Sequence, residues 1–189
     1  MLAEYRLTLD PKTLANTGPE AHALLEAAKA QVGFIPNMYA RMANSPGLLG
    51  AYLHGYALFR QHSGFSPVEQ EVIFLTISRE NSCEYCVSAH SAIADSASKV
   101  PASVTDAIRD GEPVPDAKLA ALHQFTRLMV AKHGLPDQAE VERFLAAGYD
   151  ERQILEIVLA IGVKTFSNYA NHLFHTPLDE VFAARAWKD

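Results

Sequence analysis

The chain has 189 residues, of which 49% are hydrophobic, so it can form one compact domain with a sizeable core and lies outside the range of disordered sequences. Its formal net charge of −6 and the lack of a basic run argue against nucleic acid or an anionic membrane as a partner. No apolar run is long enough to span a bilayer, and the N-terminus has no signal-peptide pattern, so we expect a cytoplasmic protein.

Signals for helices follow one another along the chain, and signals for strands are nearly absent. Proline at a first helical position and two capping boxes, Ser66 with Glu69 and Asp150 with Gln153, mark several helix starts. The predicted helices cover about residues 19–32, 38–43 with Asn37 as the cap, 46–62, 67–79, a cysteine-bearing helix capped by Asn81 or Ser82, a short helix between Pro101 and Gly111, then 116–132, 137–147, 150–170 and a tail helix opened by Pro177. The pattern predicts an all-α fold class.

We expect a single domain over residues 1–189, with a helical arm over about 1–64, a core that carries both cysteines over about 65–97, and a degenerate second half over about 116–176. Aligning Ser66 with Asp150 brings the two capped helix starts together. In that register Cys83 and Cys86 correspond to Ser167 and Ala170, so the second copy would keep the helices and lack the thiols. The match is mostly apolar periodicity.

The most informative stretch is Cys83-Glu84-Tyr85-Cys86-Val87-Ser88-Ala89-His90, which holds the chain's two cysteines at the start of a helix. Residues three and four apart share a helix face, so Cys83 can approach Cys86 and His90 can follow Cys86 by one turn. A helix N-terminus favours thiolate, and the imidazole can move a proton. In a cytoplasmic protein the pair is expected to be catalytic, redox-sensing or metal-binding.

A carboxylate on the preceding helix completes the pattern. Glu71 lies twelve residues before Cys83, and a tight turn at residues 80–82 could bring it against His90. A carboxylate there would orient the ring and raise its basicity, as in a nucleophile–base–orienter arrangement. The neighbouring Glu69 and Gln70 compete for this role, since spacing alone cannot choose among the three.

Two readings without redox chemistry stay open. The two cysteines could be buried core residues, or Cys83, Cys86 and His90 could bind zinc with His172 or His175 as the fourth ligand. For His172 and His175 themselves, a capping or interface role is favoured over catalysis. The sequence requires no metal or organic cofactor.

The combination of Glu71 with Cys83-x-x-Cys86-x-x-x-His90 resembles the AhpD-like alkylhydroperoxidase branch of the carboxymuconolactone decarboxylase family, in its peroxidase-related members. The resemblance is strongest over about residues 34–94. It implies an AhpD-like all-α fold in which a helical hairpin carries the site, with the cysteine pair at the N-terminus of a helix. It also implies a homo-oligomer, either a trimer or a hexamer.

The same resemblance implies a thiol peroxidase that reduces a hydroperoxide substrate. Cys86 would be the peroxidatic thiolate, and Cys83 would be the resolving thiol and proton donor, which exchanges with an external lipoyl- or thioredoxin-like dithiol reductant. His90 and Glu71 would form the proton relay. Tyr85 stands where alkylhydroperoxidase D has a second relay histidine, and its ordinary pKa near 10 makes it a poor proton shuttle.

Which thiol ionises more easily is open on the residues alone. The helix dipole favours Cys83, whereas pairing with His90 and the family resemblance favour Cys86, and we expect Cys86. Two further functions are weighed against the peroxidase: a carboxymuconolactone-type lactone decarboxylase, and a non-enzymatic redox sensor that uses the same thiol pair. Decarboxylase members act without the thiol pair, and a sensor would react about once rather than turn over.

Overall fold

The computed structural model describes residues 2–189, and within them the chain forms nine α-helices and no strand. The helices are α1 Pro19–Val32, α2 Asn37–Met42, α3 Pro46–His62, α4 Pro67–Glu80, α5 Glu84–Ile93, α6 Ala102–Asp110, α7 Ala117–Ala131, α8 Gln138–Ala146 and α9 Glu151–Phe174. A π-helical turn, Ala94–Ser98, continues α5, and a 3-10 helix, Glu180–Arg185, lies near the C-terminus. The predicted all-α fold is confirmed. The predicted domain begins at Met1, which lies outside the described residues, and its subdivision stays a prediction.

Both predicted capping boxes are formed. The Ser66 hydroxyl accepts the backbone N–H of Glu69 at the start of α4, and the Asp150 carboxylate accepts that of Gln153 at the start of α9. The prediction of where α9 ends was four residues short, since the helix continues to Phe174 before the chain leaves the right-handed region.

Two predicted caps were wrong. The N-cap of α2 is Pro36, and Asn37 is the first helical residue; its backbone N–H donates to the Asp179 carboxylate from the distant C-terminal segment. The N-cap of α5 is Cys83 itself, because the turn from α4 spans only residues 81–83 and Ser82 takes a positive φ of 52° within it. The first thiol therefore lies at the helix terminus.

Helix α4 is the centre of the molecule and is packed by α5, α6, α7 and α9. Every residue from position 69 to position 78 is buried. This agrees with its sequence, which is apolar on nearly all faces, because a helix surrounded by others has no solvent-facing stripe. The tight turn after α4 folds α5 back along it, so that a residue near the start of α4 faces one near the end of α5.

The C-terminal segment, residues 177–189, folds back over α5. The Trp187 backbone N–H donates to the Ser88 hydroxyl at 2.9 Å, and the Arg109 guanidinium donates to the carbonyls of Arg185 and Ala186. This segment thereby closes one side of the space in front of α5.

The second half of the chain begins like the first and then departs from it. After its capping box, α9 runs on as one helix of 24 residues, whereas α4 ends at Glu80 and turns into α5. The described part of α9 therefore has no counterpart of the cysteine-bearing hairpin. Among residues 2–189, no helix combines the length and the apolar character needed to cross a membrane.

Candidate thiol active site

A cavity of about 590 Å³ lies in front of α5. Its walls come from α1, α2, α3 and α5, with single residues from α9 and the C-terminal segment, and most of its lining is apolar or aromatic. Cys86 and His90 line it, whereas Cys83 does not. Any molecule that enters this cavity therefore meets the second cysteine of the pair and the histidine together.

Both cysteines are free thiols and almost fully buried, with Cys83 1% exposed and Cys86 2% exposed. The side-chain amide of Asn171, on α9, donates to the Cys86 sulfur at 3.2 Å and lies 3.9 Å from the Cys83 sulfur. The Cys83 thiol also hydrogen-bonds to Cys86. The Cys86 sulfur thus accepts two hydrogen bonds, which favours its anionic form.

The predicted contact between Glu71 and His90 is present. The Glu71 carboxylate, fully buried, accepts a hydrogen bond from His90 Nδ1 at 2.8 Å, and its other oxygen accepts from the Arg60 guanidinium. The competing neighbours serve other purposes: Glu69 closes the capping box of α4, and Gln70 bonds to the loop after α3. Geometry therefore selects Glu71 as the partner of the histidine.

The charge state of this pair follows from its surroundings. Burial by itself would raise the pKa of Glu71, but His90 and Arg60 outweigh it and hold the carboxyl pKa below its usual range. Burial and the positive charge of Lys164 lower the pKa of His90 despite the carboxylate. At neutral pH the ring is therefore neutral: Nδ1–H donates to Glu71, and the lone pair of Nε2 is free to accept a proton.

The two thiols differ in acidity. Burial and the hydrogen bond that it donates to Cys86 raise the pKa of Cys83 well above that of an ordinary cysteine. For Cys86 burial acts in the same direction, but the hydrogen bond from Cys83 and the charge of Lys164 outweigh it. The pKa of Cys86 therefore lies well below its usual range, with a smaller contribution from the hydrogen bond of Asn171.

Tyr85 lines the cavity without a hydrogen bond to either sulfur. Its hydroxyl donates to the Asp179 carboxylate at 2.5 Å and accepts the backbone N–H of Met38. Burial and the bond to Asp179 raise the pKa of this phenol far above neutrality. Tyr85 thus connects α5 to the C-terminal segment.

The histidines near the C-terminus do not complete a metal site. His175 ends α9 in the left-handed region, and its Nε2 lies 2.7 Å from the Ala3 carbonyl oxygen, while the His172 ring stacks on Tyr169. Within residues 2–189, no group of three or more His, Cys, Asp or Glu side chains is arranged to hold a metal ion. The geometry gives the zinc alternative no support.

Three contributors to the site were missed in the sequence: Arg60 on α3, and Lys164 and Asn171 on α9. Arg60 lies on another helix, 11 positions before Glu71, and Asn171 lies 85 positions after Cys86, and no local spacing marks either contact. Lys164 carries a signal that could have been used, because it is a single charge directly after the apolar run 157–163 of a helix. A lysine there is expected to be buried, and buried lysines often have a functional role.

Comparison with known sequences finds one family that is similar to the part of the chain carrying this arrangement. The sequence profile of the carboxymuconolactone decarboxylase family matches residues 48–127, which include Glu71, both cysteines and His90. This match covers less than half of the chain, so it shows a similarity to that family over residues 48–127. By sequence, no protein of curated function matches the chain at a significant level.

Solved structures of other proteins show the same AhpD-like fold as this chain. The alkylhydroperoxidase AhpD core of a peroxidase-related protein from Ralstonia eutropha JMP134 matches with a TM-score of 0.79 at 24% identity, over 95% of this chain and 97% of its own. A peroxidase-related protein from Silicibacter sp. TM1040 matches with a TM-score of 0.77 at 22% identity, over 96% and 95%. The debrominase Bmp8, in a cysteine-to-alanine variant with bound 2,3,4-tribromopyrrole, matches with a TM-score of 0.76 at 17% identity, over 95% and 96%.

Proposed function

We propose that this protein is a thiol-dependent peroxidase that reduces organic hydroperoxides through a dithiol–disulfide cycle of Cys86 and Cys83. The observation that carries the proposal is the placement of Cys86, which lines the cavity, accepts a hydrogen bond from Cys83 and shares the cavity wall with His90. A nucleophile, a second thiol and a base oriented by Glu71 are the groups that such a cycle needs. The similarity to the carboxymuconolactone decarboxylase family over residues 48–127 and the fold shared with two peroxidase-related proteins support this role.

In the oxidative half of the cycle, the Cys86 thiolate attacks the outer oxygen of the hydroperoxide. The O–O bond breaks, the sulfur becomes a sulfenic acid, and the departing alkoxide takes the proton of the Cys83 thiol. The Cys83 thiolate then attacks the sulfenic acid and expels hydroxide, which leaves as water with one proton that enters from solvent through His90. The products are one alcohol, one water and the disulfide.

In the reductive half, an external dithiol attacks the disulfide through a mixed disulfide and leaves as its own disulfide. Two electrons return to the cysteines, which regain one thiol and one thiolate, and one proton goes back to solvent. Glu71 stays ionised throughout, and it holds the imidazole in the tautomer whose Nε2 faces the reaction. The partner is a small dithiol or a lipoyl- or thioredoxin-like protein.

The cavity favours a bulky apolar hydroperoxide over hydrogen peroxide. Its volume of about 590 Å³ is many times that of hydrogen peroxide, and its lining of aliphatic and aromatic side chains gains free energy from apolar surface. An organic hydroperoxide with an aromatic or long aliphatic group should therefore be reduced with a higher kcat/KM. The gain is expected mainly in KM, since the extra contacts are made before the reaction.

A second candidate is thiol-dependent reductive debromination of an aromatic ring. It is favoured by the aromatic part of the cavity, where Tyr39, Tyr52, Tyr56 and Phe182 form the walls, together with the shared fold of the debrominase. In this reaction a carbon–bromine bond is replaced by carbon–hydrogen, and the two cysteine thiols supply two electrons and two protons and become a disulfide, with release of hydrogen bromide. Turnover on bromopyrroles and not on hydroperoxides would favour it.

The test is steady-state consumption of cumene hydroperoxide with dihydrolipoamide as reductant, on wild type and on Cys86→Ser, Cys83→Ser and His90→Ala. We expect many turnovers by the wild type, none by either cysteine variant, and a loss of about 10²- to 10⁴-fold in His90→Ala, the usual contribution of a positioned base. A wild type that forms the disulfide once and stops would favour the redox sensor. Thiols that ignore peroxide would overturn the proposal and direct the search to bromopyrroles and lactones.

A further inference from the structure

Lys164 is a buried cation without an anionic side-chain partner among the described residues. It is 1% exposed, lies on α9 and lines the cavity together with Cys86 and His90. Its ammonium nitrogen lies 5.6 Å from the centroid of the Phe74 ring. Removing an ammonium from water costs several kcal/mol, and a neighbouring ring offsets only part of that.

The other charges around the thiols are accounted for. The Glu71 carboxylate is paired with Arg60 and His90. The titratable and charged groups around Cys86 on the helices packed about it include Tyr39 on α2, Tyr52, Tyr56 and Arg60 on α3, Glu71 on α4, Cys83, Tyr85 and His90 on α5, and Lys164 and His172 on α9. On the C-terminal segment, the Asp179 carboxylate accepts hydrogen bonds from the Tyr85 hydroxyl and from the backbone N–H of Asn37.

Few of these groups can supply an anion at neutral pH. Burial raises the pKa of each tyrosine and of Cys83, so all of them stay neutral, and burial likewise keeps both histidines neutral. Arg60 and Glu71 cancel one another. The remaining pair is one cation, Lys164, and one sulfur, Cys86, in the wall of the same cavity.

We propose that Lys164 is the counter-ion of a resident Cys86 thiolate in the reduced protein. With the thiolate present, the buried site is electrically neutral, and every charge in it has an opposite neighbour. Cys86 is then ionised before substrate arrives, and His90 does not have to remove its proton. Lys164 acts through the sulfur of Cys86 and is therefore a positioning residue.

The ion pair also sets the redox balance of the thiol pair. Oxidation to the disulfide removes the thiolate and leaves the Lys164 ammonium buried without a counter-ion, which destabilises the oxidised state. Reduction by an external dithiol restores the ion pair. The disulfide accepts two electrons and one proton, and gives the Cys83 thiol and the Cys86 thiolate. A disulfide whose reduced form is so stabilised is a strong oxidant and is readily reduced.

The inference deepens the proposed peroxidase cycle, but its test uses no peroxide, so the two can fail separately. The ultraviolet absorbance of the thiolate is followed against pH in wild type, Lys164→Met and Lys164→Arg, with the half-exposed Lys118→Met as control. We expect the thiolate midpoint to rise by about one to three pH units in Lys164→Met, the usual effect of losing a nearby opposite charge. The thiolate midpoint of Lys164→Arg should lie close to that of the wild type, because arginine keeps the positive charge. The midpoint of Lys118→Met should equal that of the wild type. An unchanged midpoint in folded Lys164→Met would overturn the proposal.

Equilibrium with the glutathione couple gives a second readout. Lys164→Met should favour the disulfide by at least about tenfold, which is about 30 mV for a two-electron couple. If that variant does not fold, the pH dependence of the wild-type potential still decides the charge state of Cys86. Uptake of one proton for every two electrons at neutral pH supports the resident thiolate, and uptake of two contradicts it.

Discussion

At the scale of single residues, the site depends on one buried carboxylate. Glu71 accepts hydrogen bonds from Arg60 on one oxygen and from His90 on the other, and it is fully shielded from solvent. The guanidinium also lies over the rings of Tyr56 and Phe74, at 4.9 and 4.8 Å from their centroids. Glu71 therefore orients the imidazole and at the same time neutralises a cation that packs against the core.

Replacing Glu71 should cost stability as well as activity. In Glu71→Gln the guanidinium of Arg60 loses its counter-ion, and breaking a buried ion pair in this way costs about 3–5 kcal/mol. Urea denaturation measures the free energy of unfolding. The matched control is Glu69→Gln, two residues earlier on the same helix, where the glutamine can still close the capping box and little stability should be lost. Equal losses in the two variants would contradict the assignment.

A second buried residue, His123, should make the free energy of unfolding depend on pH. The pKa of His123, between α7 and α4, is lowered to about 4 by burial and by the charges of Arg127 and Arg79. Between about pH 6.5, near the pKa of this histidine in the unfolded chain, and about pH 4, the ring is protonated in the unfolded chain but not in the folded one. The free energy of unfolding therefore decreases as the pH falls through this range. The full effect, reached near pH 4, is on the order of 3 kcal/mol.

This prediction is checked by the free energy of unfolding at several pH values between 6.5 and 4. In His123→Asn the free energy of unfolding should decrease less on acidification, by about the 3 kcal/mol that His123 contributes, because asparagine does not titrate. The exposed His62→Asn should keep the slope of the wild type. An unchanged slope in His123→Asn would show that another group controls acid stability.

At the scale of helices, α3 and α9 approach closely at one glycine. A Cβ atom added at Gly55 would lie 2.8 Å from Val163 Cγ2, closer than two carbon atoms can pack. This contact determines how closely α3, which carries Arg60, approaches α9, which carries Lys164. The glycine is required for space rather than for backbone conformation.

Gly55→Ala should therefore destabilise the fold. The two helices must separate or Val163 must leave its rotamer, at a cost of about 1–3 kcal/mol, the usual range for overpacking. Thermal unfolding measures the loss. The control is Gly47→Ala in the first turn of the same helix, where nothing lies within 4 Å of an added Cβ and no loss is expected. A gain in stability at position 55 would contradict the close packing.

Helix starts and contacts between helices that are adjacent along the chain can be predicted from the sequence, whereas contacts between distant helices cannot. Helix starts are local, so the residues around Ser66 and Asp150 were sufficient to predict them. The contact of Glu71 with His90 was also predictable, because only a three-residue turn separates their helices. Asn171 lies 85 positions from Cys86, and a contact over that distance depends on how the helices pack, which periodicity does not determine. For the same reason, only the structure distinguishes the cavity-lining thiol from the one behind it.

At the scale of the whole molecule, an apolar stripe on α9 faces solvent. Its members are at least 38% exposed and lie within one face of the helix at spacings of three, eight, three and four residues; they are Leu155, Val158, Phe166, Tyr169 and Leu173. Apolar stripes of this length on one helix are typical of surfaces that pack against another chain. The stripe supports the homo-oligomer that the family resemblance implies, which stays a prediction.

Negative charges introduced on this apolar stripe of α9 should dissociate the oligomer into monomers. We expect the wild type to sediment as a trimer or hexamer and the double variant Leu155→Glu with Tyr169→Glu to sediment as a monomer, because a carboxylate buried at an interface loses its hydration. Analytical ultracentrifugation gives the masses. Leu135→Glu, at an exposed loop position on another face, is the control and should keep the mass of the wild type. A monomeric wild type at micromolar concentration would contradict the prediction.

The most direct test of the account is to identify which sulfur reacts with peroxide. Cys83→Ser and Cys86→Ser are treated with one equivalent of cumene hydroperoxide in the presence of dimedone, which traps sulfenic acid, and the adduct is located by peptide mass spectrometry. The account predicts rapid labelling of Cys86 in Cys83→Ser and little labelling of Cys83 in Cys86→Ser, because Cys86 is the ionised thiol in the cavity wall. Labelling of Cys83 at the higher rate, or of neither residue, would contradict it.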